Sequence, residues 1–110
     1  MEHAVREELG SLVVSFEGDV DLENSPKARE ILLGCVAEGR DVFVDLSAVS
    51  YIDSSGVASL VEAFQASKKK GTRFALVAVN EAAMRVLELA RLDKVFTIHE
   101  TLSEGISGGA

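Results

Sequence analysis

VFVDLSAVSYIDSSGVASLVEAF, residues 42–64, is the stretch on which the fold turns. It opens with the β-branched run Val42 to Leu46, the composition of a strand buried on both faces. It closes with Val57, Leu60, Val61 and Phe64 at i, i+3, i+4 and i+7, the spacing of one buried helix face. SAVSYID connects the two, and Asp53, Ser54, Ser55 and Gly56 occupy the joint where the helix begins.

Outward from this unit the alternation continues. Upstream, a weak apolar segment around His3 to Glu8 and a better one from Ser11 to Phe16, separated by Leu9-Gly10, read as a hairpin. Ser25-Pro26 supplies an N-cap hydroxyl and a first-turn proline for a helix with Ala28, Ile31, Leu32, Cys35 and Val36 inward, ending at Gly39. Downstream, Lys68, Lys69 and Lys70 before Gly71 are a helix end, where cations complement the dipole and glycine supplies the left-handed cap. Phe74 to Val79 is the next strand. Asn80 caps a helix through about Arg91 with Ala83, Val86, Leu87 and Ala90 inward. A short strand at Val95 to Ile98, a brief helix at Leu102 to Ile106 and a frayed SGGA end complete the chain. Strands alternating with helices imply βαβ crossovers: an α/β fold whose central sheet is mostly parallel, with an N-terminal antiparallel edge and helices packed against it.

With 110 residues, 47% of them hydrophobic, the chain suits one domain with one core. A formal charge of -7 opposes nonspecific contact with nucleic acid, which needs a cationic surface. No run of about 18 apolar residues and no basic-then-apolar leader occurs, so a cytoplasmic protein without membrane insertion is expected. The single cysteine, Cys35, excludes an internal disulfide and reads as a small buried hydrophobe in a reducing compartment.

The joint at residues 53–56 is where ligands and chemistry gather in parallel sheets. A serine nucleophile is disfavoured: the G-x-S-x-G elbow is absent, and His3 and His99 stand in the first and last strands, away from it. Neither phosphate-binding glycine motif occurs. A carboxylate dyad from Asp19, Asp21 and Asp53 has no companion metal-ligand spacing. No enzyme activity, metal or cofactor is expected. As structure, Asp53 or Ser54 caps the helix and Gly56 permits close approach to a neighbour. As chemistry, a seryl hydroxyl at a helix N-terminus is a good place for a phosphate, which the amides and the positive dipole end can receive.

The strand VFVDL, the joint YIDSSG, the helix VASLVEAF, the strand KGTRFALV and the earlier GDVD together resemble the STAS domain, the fold shared by bacterial anti-sigma factor antagonists and the cytoplasmic tails of sulfate transporters. The likeness spans about Ser11 to Ile106 and implies a single domain over residues 1–110, with 107–110 a flexible end. It implies that Ser54, the first serine after the aspartate, is the residue a partner kinase phosphorylates. Asp53, Asp21 and Asp19 become acidic neighbours of that site, and Ser55 and Gly56 its cap and turn. The implied partners are an anti-sigma factor that is also a serine protein kinase and a PP2C-type phosphatase. A weak homodimer through the sheet edge is a further expectation. The likeness also admits a different role, as a docking subunit of a lipid-transport ABC complex or of a larger signalling assembly without sigma control.

Overall fold

The computed structural model describes residues 1–108. Within them the chain runs β1 (Glu2–Glu8), β2 (Ser11–Val20), α1 (Ser25–Ala37), β3 (Val42–Ile52), α2 (Ser54–Lys70), β4 (Phe74–Val77), α3 (Glu81–Leu89), β5 (Thr97–His99) and α4 (Leu102–Ser107). The sheet has the order β1-β2-β3-β4-β5, with β1 antiparallel to β2 and every other pair parallel. This is the mostly parallel sheet with an antiparallel N-terminal edge that the alternation implies. Leu9 and Gly10 join β1 to β2 with φ of 50° and 84°, both positive as in the type I′ turn of two-residue hairpins.

Alternating strand residues point to opposite faces, and the two faces are covered unequally. Leu12, Val14, Phe16, Val44 and Leu76 pack with Leu32 of α1, Leu60 of α2 and Leu87 of α3 in one main core. Phe43, Ala75 and Val77 face the other way, against Leu102 and Ile106 of α4. β1 is a strand with both faces largely open, its residues exposed from Glu2 to Glu7.

Several boundaries differ from those expected. SAVSYID is not a connector: β3 continues through it to Ile52, because Leu46, Val49 and Ile52 turn into the core and the segment pairs with the far half of β2. β2 likewise runs to Val20, so the GDVD segment is a strand end and the turn starts at Asp21. The residue before α1 is Asn24 and not Ser25, and it makes no side-chain cap, its amide being turned back to Asp19 and Asp21. β4 stops at Val77, and β5 begins at Thr97 because Val95 belongs to a turn. α3 stops at Leu89, leaving Ala90 exposed at its C-cap, since Arg91 adopts φ 60°. Of the expected flexible end, Ser107 closes α4 and Gly108 caps it, while 109–110 lie outside the described residues.

The remaining end signals act as the sequence suggests. Gly71 takes the left-handed cap of α2 at φ 75° behind the three lysines, and Lys68 Nζ lies 4.8 Å from the centre of the Phe64 ring. Cys35 is buried, and burial, with a smaller contribution from Glu38, pushes its thiol pKa up, which dulls it as a nucleophile.

Candidate functional site

β2 and β3 end side by side, Val20 opposite Ile52, and Asp53 N–H donates to the Val20 carbonyl at 3.4 Å. The chain then turns into α2. For that turn to be so tight, residue 56 must lack a side chain: a Cβ there would stand 2.4 Å from the Val20 carbonyl oxygen and 2.8 Å from Ile52 Cγ1. Gly56 is buried between the two strand ends.

Asp53, extended at φ -112° and ψ -173°, is the N-cap of α2. Its Oδ1 accepts the amides of Ser55 at 3.0 Å and Gly56 at 3.2 Å, and the Ser55 hydroxyl at 2.5 Å. Its Oδ2 accepts the Leu22 amide, 3.1 Å away across the joint. The Ser55 hydroxyl bond, foremost, and the three amides together outweigh desolvation and hold the Asp53 carboxyl below its ordinary pKa. Ser55 is therefore not the cap. It supports the turn by gripping the aspartate that is. The amides of Ser55 and Gly56, the expected receptors for a phosphate, are already filled.

Ser54, between the cap and its support, is exposed, and among the described residues its hydroxyl has no side-chain or backbone hydrogen bond. Asp21 and Asp19 lie at the neighbouring strand end but turn to other work. Asp21 Oδ1 accepts the backbone amide and the side-chain Nδ2 of Asn24, each at 3.0 Å, and Asp19 offers its carbonyl to Asn24 Nδ2 at 3.1 Å. Both are acidic residues at the end of β2, beside the end of β3.

Two features escape a reading of the sequence. Leu22 is 75% exposed on the loop that Asp53 holds, and Tyr51, at 54%, stands two residues before the cap. An exposed apolar residue has no pattern of its own in the sequence. The second feature is Ser59, buried, whose hydroxyl donates to the Ser25 carbonyl at 3.2 Å, tying the start of α1 to α2. Beside that tie a shallow groove of 340 Å³, lined by Pro26, Arg29, Ser55, Ala58 and Glu62 among others, adjoins the joint. Among the described residues no group of three or more His, Cys, Asp or Glu is placed to hold a metal ion, and no helix is long and apolar enough to cross a membrane.

Fold and joint together define a class: single-domain α/β proteins that display an exposed serine directly after a capping aspartate, where a parallel strand meets a helix. The chain belongs to the STAS domain family, whose profile matches residues 2–105. It is 28% identical over 102 residues to the anti-sigma-B factor antagonist of Bacillus subtilis, covering 93% of this chain and 94% of that protein. It is 30% identical over 100 residues to an anti-sigma-F factor antagonist of Mycobacterium tuberculosis, covering 90% of this chain and 81% of that protein. The crystal structure of an anti-sigma factor antagonist from Mycobacterium paratuberculosis matches with a TM-score of 0.89 at 30% identity, over 97% of this chain and 92% of that one. The resemblance drawn from the DSSG joint thus holds for family and fold.

Proposed function

We propose that this protein is an anti-sigma factor antagonist switched by phosphorylation at Ser54. The observation that carries the reading is the free, exposed hydroxyl of Ser54 on the first turn of α2, fixed in place by neighbours whose own hydrogen bonds are complete. Relatives that span nearly the whole chain and are named anti-sigma factor antagonists support it.

In the unmodified state the Ser54 corner, the adjoining groove and the outer face of α2 at Ala58, Glu62 and Gln65 dock on a cytoplasmic anti-sigma factor, which lets go of its sigma factor. That partner is also the serine kinase. Its active site supplies the chemistry, and this protein supplies the acceptor oxygen. Phosphorylation adds about -1.5 to -2 charges at Ser54. Next to ionised Asp53, in a chain of formal charge -7, such a group resists being stripped of water in an interface. About 1.4 kcal/mol of that penalty already weakens binding tenfold. A PP2C-type phosphatase restores the hydroxyl and resets the switch. Neither nucleic acid nor membrane takes part.

Incubation with the kinase encoded nearest to its gene and ATP, followed by mass spectrometry, tests the reading. One phosphate, on Ser54, is expected, and Ser54→Ala should accept none. Modification at another residue, or a Ser54→Asp variant that binds the anti-sigma factor as tightly as the unaltered protein, would overturn it.

A further inference from the structure

Among the described residues, one hydrogen bond joins the loop between β2 and α1 directly to the Ser54 joint. Asn24 and Ser25 bond to Asp21, and the Ser25 hydroxyl donates to the Leu22 carbonyl, so these contacts hold the loop to the start of α1, which Ser59 in turn ties to α2. The Asn24 side chain reaches back to Asp19 on its own strand. Leu22 itself, 75% exposed, has little packing to fix it. Among the described residues its amide is held by Asp53 Oδ2, 31 positions away in sequence.

That carboxylate is one unit with two duties, since Oδ1 closes the helix while Oδ2 closes the loop. We infer that phosphorylation of Ser54 displaces the Asp53 carboxylate from this bridge and so unlatches the Leu22 loop, giving the switch a second arm away from the phosphate. The inference rests on Ser54 being the modified residue. The phosphate carries more charge than Asp53, brings three strong acceptor oxygens to the same helix end, and repels the carboxylate beside it. Whichever anion takes the Ser55 and Gly56 amides, the two cannot share them. A rotation of the Asp53 side chain that frees Oδ1 also withdraws Oδ2 from Leu22. In the unmodified protein the latch presents Leu22 at a fixed position next to acidic Glu23, an arrangement suited to a partner surface with an apolar recess near basic groups. Once the latch opens, the partner loses that anchor as well as the Ser54 contact.

The test needs only the protein itself, prepared with phosphoserine placed at position 54 during translation, so its outcome does not depend on any kinase. Amide exchange at Leu22 is followed by NMR in the unmodified protein, the phosphoserine form, and the Asp53→Ala and Asp53→Asn variants. The expected result is an amide that exchanges about tenfold faster in the phosphoserine form than in the unmodified protein, as expected for loss of a bond to a charged acceptor. Asp53→Ala should reproduce the acceleration without phosphate. Leu22 exchanging at the unmodified rate in the phosphoserine form would overturn the inference, as would a Leu22 amide indifferent to both Asp53 substitutions. Absence of kinase labelling at Ser54 would instead count against the proposed function and leave this readout intact. Because Asp53→Ala also removes the helix cap, Asp53→Asn, which keeps a carbonyl acceptor, serves if the alanine variant fails to fold.

Discussion

Asp53 and Gly56 shape the joint by opposite means, one by accepting four hydrogen bonds and the other by having no side chain. Gly56→Ala drives a methyl group into the Val20 carbonyl, a backbone atom that cannot move aside without disturbing two strands. A loss of about 1–3 kcal/mol or more is expected, read as a lower urea midpoint at unchanged slope. Asp53 makes stability depend on pH. Its pKa is depressed in the fold, so its contribution is complete above the ordinary carboxylate value of about 3.9 and disappears as pH falls through the lower folded value. Unfolding of Asp53→Asn compared with the unaltered protein should therefore show a constant deficit near neutrality that closes in acid, below about pH 4. Asp41 belongs to the same class: burial would raise its pKa, but the Arg73 amide, guanidinium bond and charge outweigh that and lower it. At this scale the sequence names the joint but leaves the division of labour open. Aspartate and serine are both capping residues, and which one caps depends on where β3 stops, a matter settled by its pairing with β2.

Helices are the legible elements. Their apolar spacing, the Asn80 and Gly71 caps and the lysine-rich end of α2 are local signals, and each helix forms within a few residues of where they point. The second half of β3 is not legible for a physical reason. Leu46, Val49 and Ile52 are buried at three-residue intervals, with Ser47, Ala48, Ser50 and Tyr51 exposed between them. A regular strand would alternate every two residues. The departure comes from register shifts against β2 between Ser15 and Glu17 and between Gly18 and Asp19, where Gly18 takes φ 88°. Such irregularities belong to a pair of strands, and neither sequence shows them alone. Asn80 is one device that secures this stretch: its Oδ1 caps α3 through the Ala83 amide at 2.8 Å while its Nδ2 donates to the Val49 carbonyl at 2.6 Å. Asn80→Ala removes both and should cost about 1–2 kcal/mol, towards the upper end for a cap, in a denaturant titration.

For the molecule as a whole, the single α/β domain is legible from alternation of strand and helix, whereas the strand order is a property of tertiary pairing. That order places β2, β3 and β4 in the interior of the sheet, with Val13, Val14, Val44 and Leu76 fully buried, and leaves β1 open on both faces. Native-state hydrogen exchange should accordingly be slowest in the central strands and much faster in β1. Phosphoserine at position 54 should leave the central strands unchanged, because the joint lies at one end of the sheet and the main core is assembled from all of its interior strands. A phosphate at Ser54 would thus act at the end of a sheet whose core stays in place.

The most direct measurement is a calorimetric titration of the unmodified and the phosphoserine-54 forms into the anti-sigma factor encoded nearest to its gene. The unmodified form should bind, and the phosphoserine form should bind at least about tenfold more weakly, equivalent to 1.4 kcal/mol or more. Equal affinity of the two forms would contradict a switch at Ser54.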